Sequence, residues 1–295
     1  MVPVTVTMQT PPTIRTLLLG PLIAASVFVP GARAAAQNAT AVDSVKAPRD
    51  GRKPLKDLGG TVYSLGRDFW LTFSAPVRMD GEAWLITGGV LGVAGLLYLA
   101  DEDITRAALR NLDAPVFEQL VDVGTFLEPV GLMGNTNVWY ASAALASYAV
   151  GWERPNRLFT ELLYSHWIAG TIRGGVNRLV GRSRPYEEQG ARAFAIDGGT
   201  SFPSGHASTI FQVAAVLSHH ARSTPVSVVL YGLAGTAALE RITSEQHWAS
   251  DVWLGAAYGW AVAKLVIRLH EEDALRVEPV VLPSGGMGMS VRIPL

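Results

Sequence analysis

Three short stretches gather the side chains that could do chemistry. The first is Ser204-Gly205-His206, with Pro203 before it and an apolar run from Ala207 to Leu217 after it. Proline and glycine punctuate local structure, and Ser204 can cap the helix that the apolar run predicts. The start of a helix leaves backbone N–H groups unpaired at the positive end of its dipole, and both favour an anion such as phosphate. His206 stands at the edge of that site and can carry or release a proton near neutral pH. The second stretch, Arg178-Leu179-Val180-Gly181-Arg182-Ser183-Arg184-Pro185, ends a helix and presents Arg184 on a loop. Arginine keeps its charge and offers a planar fork that matches phosphate oxygens, although helix-end arginines also simply answer the dipole. The third runs from Glu240-Arg241 through His247 to Asp251. If His247 and Asp251 share a helical turn, their i, i+4 spacing puts them on one face. Asp251 would then hold one ring nitrogen protonated and leave the other free to attack or to bind a metal, or the pair would only staple a helix.

The elements that must position these groups are helical. Hydrophobic residues make up 49% of the 295-residue chain and charged residues 17%. A net charge of −1 gives no reason to expect nucleic acid as a partner, and zero cysteines exclude disulfides, thiolate metal sites and a cysteine nucleophile. Arg15, the apolar run Leu17–Val29 and the small residues Ala32, Ala34, Ala35 and Ala36 read as a signal peptide over 1–36, the alternative being an uncleaved anchor. Residues 37–60, with Lys46, Arg49, Arg52, Lys53 and Lys56 between prolines, read as a linker whose charges could also touch anionic lipid heads. Ala83–Ala100 is an uncharged apolar run of 18 residues and the best membrane-span candidate. Its glycines 88, 89, 92 and 95 suit close helix approach, and Asp101-Glu102-Asp103 after it reads as a solvated turn. Further helices are expected over 61–74, 104–111, 115–125, 138–151, 159–180, 207–221, 226–241 and 250–270. The class is all-α, a bundle of about six or more helices over 61–272. The tail 273–295 reads as a short β-hairpin or a frayed end. His166, His219, His220 and His270 read as helix-surface or packing residues. The tryptophans suit core packing as well as a membrane interface.

Taken together, Arg184-Pro185, Pro203-Ser204-Gly205-His206 and Arg241…His247…Asp251 resemble, in order and spacing, the motifs of the type 2 phosphatidic acid phosphatase family. Its superfamily includes bacterial acid phosphatases and vanadium haloperoxidases. The resemblance covers roughly 160–265. It implies that His247 attacks phosphorus to form a phosphohistidine, that Asp251 orients it, and that His206 protonates the leaving group. It also implies that Arg184 and Arg241, with Ser204 and Gly205, hold the phosphoryl oxygens, with no metal or other cofactor. Two positions depart from the family pattern. Asn177 stands where a lysine is usual, so that Arg173 or Arg178 would have to supply the charge, and Glu240 stands where a serine is usual. Asn177 itself can donate only a hydrogen bond, and Glu240 would either pair with one of these arginines or repel phosphate.

The expectation is an exported phosphatase acting on phosphate monoester or pyrophosphate groups of a phospholipid or polyprenyl carrier. It would sit at the membrane on the periplasmic side of the envelope. The alternatives are a haloperoxidase holding vanadate in the same pocket and a non-catalytic phosphate-lipid binding protein.

Overall fold

The structure is a computed structural model describing residues 54–131, 133–274, 276–281 and 287–292. The expected signal segment 1–36 and most of the expected linker lie outside the described residues. The described residues form nine α-helices: α1 (Pro54–Phe73), α2 (Gly81–Arg110), α3 (Pro115–Phe126), α4 (Glu128–Gly131), α5 (Met133–Val150), α6 (Glu153–Val180), α7 (Gly205–Ala221), α8 (Thr224–Thr243) and α9 (Ala249–Ala274). Two 3-10 turns, Ala75–Arg78 and Pro185–Glu187, interrupt the connections. The tail forms an antiparallel hairpin of β1 (Arg276–Val281) and β2 (Met287–Arg292), with Arg276 opposite Arg292. The all-α expectation holds. α1 begins at Pro54, inside the stretch read as linker, because proline is well suited to the first turn of a helix, where no backbone donor is lost.

The centre of the bundle is α6, α7 and α9. Leu162, Ala215, Val216, Ala263 and Ile267 pack together, and Tyr164, Ile168, Ala169, Val262 and Val266 form an adjoining cluster. α8 lies on α7 through Ala234, Ala237, Ile210 and Ala214. The contact between α7 and α9 is close enough to need glycine. A Cβ on Gly255 would stand 2.4 Å from the Ser204 carbonyl oxygen, and one on Gly259 would stand 2.0 Å from that of Ser208. Helix caps fix the entries. Asp80 accepts a hydrogen bond from Ala83 N at 2.8 Å, and Gly181 ends α6 in the left-handed region.

α2 corrects three sequence expectations. It runs unbroken from Gly81 to Arg110, joining segments expected to be separate. Its glycines 88, 89, 92 and 95 have no atom within 4 Å of a Cβ position, so they serve no close approach within this chain. Asp101 is not in a solvated turn, since it is fully buried at 0% exposure. Its most apolar 18-residue stretch has mean hydropathy 1.8, and 6% of that stretch is buried. It is one of three helices among the described residues long and apolar enough to cross a membrane, the others being Thr224–Thr243 and Ala249–Glu272. Trp70, Trp84, Trp139, Trp152 and Trp167 are exposed, whereas Trp248 is buried, so core packing accounts for few of the tryptophans.

α6, α7, α8 and α9 alternate in direction, and polar residues gather at two ends of the bundle. One is built from the late turns of α2, α6 and α8 and the starts of α7 and α9. At the other, Glu161 accepts hydrogen bonds from His220 and Arg157, both at 2.8 Å, and Asp68 accepts one from His270 at 3.1 Å. Two of the histidines read as surface or packing residues behave otherwise: His220 and His270 pair with buried carboxylates. His166, at 1% exposure, packs edge-on to Tyr140, in keeping with that reading.

The glycine contacts give a direct test. Gly255→Ala should destabilise the detergent-purified protein by about 1–3 kcal/mol through overpacking. Gly92→Ala should leave it unchanged or stabilise it by up to about 1 kcal/mol, since alanine is the better helix former. Thermal unfolding of the two variants beside the wild type checks both.

Candidate active site

The first of the two polar ends collects most of the residues singled out in the sequence. Ser204, extended at φ −62° and ψ 122°, accepts from Ala207 N at 3.4 Å and starts α7. Its own N–H donates to the Asp251 carbonyl at 3.0 Å. The loop before it carries a cis Phe202–Pro203 peptide. Gly205 is needed for what lies against it. A Cβ there would stand 2.9 Å from the Arg173 guanidinium carbon, so Arg173 rests directly on the first turn of α7. His206, next along, packs over Gly131 of α4, and its Nε2 is buried with no hydrogen-bond partner among the described residues.

Arg173 lies beside position 177 and against the start of α7. The Asn177 side chain is bound on both sides and is not a phosphate donor. Its Nδ2 donates to Phe202 O at 2.5 Å and Thr200 O at 3.2 Å, and its Oδ1 accepts from Arg173 Nη1 at 2.8 Å. Asn177 therefore ties α6 to the loop before α7 and steadies Arg173. Arg178 is exposed on another face of α6 and stays outside the site. Arg184, beyond the helix, donates to Gln246 Oε1 at 2.5 Å and to Thr200 Oγ1 at 3.1 Å, which holds it between the second and third motifs. Arg241 is buried and bonded to Glu240 beside it, with Glu128 of α4 at 3.1 Å. Glu240 thus pairs with Arg241 itself, not with Arg173 or Arg178.

The third motif differs most from expectation. α9 starts at Ala249, so His247 precedes the helix and does not share a helical face with Asp251. Its backbone N–H donates to Arg241 O at 3.1 Å, which curls the turn back on α8. Its Nδ1 donates to the Ser201 carbonyl at 2.7 Å. A carbonyl only accepts, so Nδ1 carries the proton and Nε2 keeps its lone pair. Asp251 reaches His247 at one remove. It accepts from Ser201 Oγ at 2.5 Å, Arg182 Nη1 at 2.6 Å and Trp248 N at 3.3 Å. Ser201 and Arg182 fall within the stretches singled out in the sequence, Ser201–Ser208 and Arg178–Pro185, but neither has a role there. Arg182 was hidden among helix-end arginines, and the sign that set it apart was its place two residues before Arg184.

The electrostatics are those of an anion site. Burial, then the charges of Arg241, Arg184 and Arg173, push His206 down to about 4, with Glu128 opposing. Burial and Arg184 hold His247 well below the ordinary histidine value. Both imidazoles are therefore neutral at pH 7. The guanidiniums that add to the effect of burial on His206 are the groups a phosphoryl anion would neutralise, so anion binding raises it and favours uptake of a proton. No group of three or more His, Asp or Glu among the described residues is placed to hold a metal ion.

Sulfate keeps a constant charge over this range and should inhibit or bind more tightly as pH falls from about 6.5 to about 4.5, an effect that His206→Ala abolishes. Because the folded-state value lies below the unfolded one, His206 also makes the folded protein lose stability as pH falls from about 6.5 toward about 4. A pH series of thermal unfolding, compared with His206→Ala, reads that loss. Glu128→Gln removes a half-exposed carboxylate beside Arg241, and should tighten sulfate by about two- to fivefold, less at high salt.

Comparison with known proteins agrees with the motifs. Residues 153–274 match the family model of the PAP2 superfamily. The chain is 33% identical over 179 residues to a lipid A 1-phosphatase of Porphyromonas gingivalis, an alignment covering 59% of this chain and 36% of that protein. It thus spans about a third of the curated relative's length. A crystal structure of Aquifex aeolicus LpxE superposes with a TM-score of 0.40 at 16% identity, over 57% of this chain and 94% of that one; so loose a superposition carries no weight. The matched segment contains every side chain of the three motifs described above, so residues 153–274 are similar to the PAP2 superfamily by family model and by motif alike.

Proposed function

We propose that this protein is a membrane-associated phosphatase of lipid-linked substrates that works through a phosphohistidine. The observation that carries the reading is the single hydrogen bond from His247 Nδ1 to the Ser201 carbonyl. It leaves a neutral imidazole with a free Nε2 lone pair among Arg173, Arg184 and Arg241 and beside the start of α7. A nucleophile, a positive field and a titratable group are the parts that phosphoryl transfer needs.

In this reading the three guanidiniums and the first N–H groups of α7 hold the phosphoryl oxygens. His247 Nε2 forms the N–P bond as the P–O bond to the leaving group breaks. His206, protonated on anion binding, passes its proton to the departing oxygen. The same histidine, now neutral, takes a proton from water, whose oxygen displaces the histidine and releases inorganic phosphate. The apolar surface of α2 and the two other apolar helices support a substrate whose tail stays in a bilayer while its head reaches the polar end. The curated relative named a lipid A 1-phosphatase makes a glycolipid phosphate the first substrate to try. Phospholipid phosphates and polyprenyl diphosphates follow from the same chemistry. A site on the exported side of the envelope suits such lipids.

Phosphate release from a panel of these lipids by purified protein tests the proposal. Turnover should be lost in His247→Ala and fall by about a hundred- to ten-thousandfold in His206→Ala. Arg173→Ala should raise KM and lower kcat, whereas Arg178→Ala should change neither. Lipid phosphate binding without turnover would favour the binding-protein alternative, and unchanged turnover in His247→Ala would remove the mechanism.

A further inference from the structure

We propose that Asp101, on α2 and outside the segment that matches the superfamily, is a positioning residue for the nucleophile His247, acting through Arg182, Asp251 and Ser201. The inference rests on the phosphohistidine reading of the site and adds to it a side chain that none of the three motifs contains.

The argument begins with burial. Asp101, Asp251 and Ser201 are 0% exposed, Arg182 is 1% and Ser250 is 3%. Two carboxylates and one guanidinium in such a place stay charged only if each polar atom is met. All four carboxylate oxygens accept hydrogen bonds. Asp101 Oδ1 takes Ser250 N at 2.9 Å, and its Oδ2 takes Arg182 Nη2 at 2.8 Å and Ser250 Oγ at 2.6 Å. Asp251 Oδ1 takes Arg182 Nη1 at 2.6 Å, and its Oδ2 takes Ser201 Oγ at 2.5 Å and Trp248 N at 3.3 Å. The remaining Arg182 donors go to Ala191 O, at 3.0 Å from Nε and 2.7 Å from Nη2, and to Ser250 Oγ, at 2.8 Å from Nη1.

The chain of bonds leads to the reacting imidazole. Ser201 is held at two points by this network, its N–H to Arg182 O at 3.0 Å and its hydroxyl to Asp251. Its carbonyl is the acceptor that fixes the His247 tautomer. Trp248, next to the nucleophile, is fastened as well. Its indole N–H donates to Ser183 O at 2.9 Å, and its ring lies against the Arg182 guanidinium, 5.6 Å from centroid to guanidinium carbon. Without Asp101, Arg182 would have one carboxylate instead of two, and its fork would be free to turn away from the geometry that anchors Ser201.

Charge points the same way. Arg182 offsets one carboxylate, and the other leaves one net negative charge behind Ser201. When His247 bonds to phosphorus with Nδ1 still protonated, its ring becomes positive. A fixed negative charge on the far side of the Ser201 peptide stabilises that state more than the neutral ground state, so the effect belongs to kcat. The phosphate contacts made by Arg173, Arg184 and Arg241 are untouched, so KM should hold.

Asp101→Asn, nearly identical in shape, is the decisive variant, with Ser201→Ala as a second that keeps the backbone carbonyl. Each should lower kcat at least tenfold with KM within threefold, counted per site that binds vanadate so that misfolded protein does not enter. The double variant should be no worse than the poorer single one. A wild-type kcat per site in Asp101→Asn, or losses that multiply in the double variant, overturns the inference while leaving the phosphatase reading intact. A readout independent of turnover is the His247 Nδ1 proton in ¹⁵N-histidine-labelled protein, assigned by its absence in His247→Gln. Its downfield resonance should move or broaden in Asp101→Asn, and an unchanged resonance overturns the inference even if no lipid substrate is found.

Discussion

A guanidinium with almost no exposed surface has to be neutralised where it lies, and Arg182 meets that demand with Asp101 on one side and Asp251 on the other. Removing one partner of such a buried pair typically costs about 3–5 kcal/mol, because the charge left behind has no water to turn to. Three otherwise separate pieces therefore have to meet around it: the long apolar helix α2, the loop that follows α6 and the start of α9. The Ser201 peptide is strung between the second and third of these, and its carbonyl fixes the tautomer of His247. That imidazole is thus oriented by backbone whose position an ion pair sets, and among the described residues no carboxylate hydrogen-bonds to the ring.

The phosphate side of the site is held in a different balance. Arg173, Arg184 and Arg241 share a small volume with two imidazoles, and mutual repulsion would scatter them if nothing opposed it. Asn177, Thr200 and Gln246 restrain the first two through neutral hydrogen bonds. Glu240 and Glu128 pair with Arg241. The residues at positions 177 and 240 thus act on different arginines: one steadies Arg173, and the other offsets the charge of Arg241.

The helical class and the three motifs were legible in the sequence because both depend on local signals: apolar periodicity, proline and glycine breaks, and fixed spacings. Ser204 as a helix cap and His206 at its edge follow from the same rules. What stayed hidden depends on contacts across the chain. The i, i+4 reading of His247 and Asp251 required a helical turn shared by both, whereas α9, expected over 250–270, starts at Ala249 and leaves His247 outside it. Asp101 looked like one of three acids closing an apolar run. Only its distant partners Arg182 and Ser250 make it buried, and no period or spacing connects residue 101 with residues 182 and 250. Asn177 likewise reads as a missing lysine until the loop carbonyls it binds are seen. For Arg173 the i, i+4 relation to Asn177 was visible, but the room that Gly205 gives it was not.

Asp101 rides on α2, the helix with the least of its apolar length covered by protein. A helix so exposed takes its tilt from the thickness of hydrocarbon around it, leaning over in a thin bilayer and standing up in a thick one. Were α2 to span a bilayer, the end that shifts would carry the carboxylate that braces Arg182, and through it the Ser201 peptide facing His247. The thickness of the surrounding hydrocarbon would then bear on the placement of that imidazole.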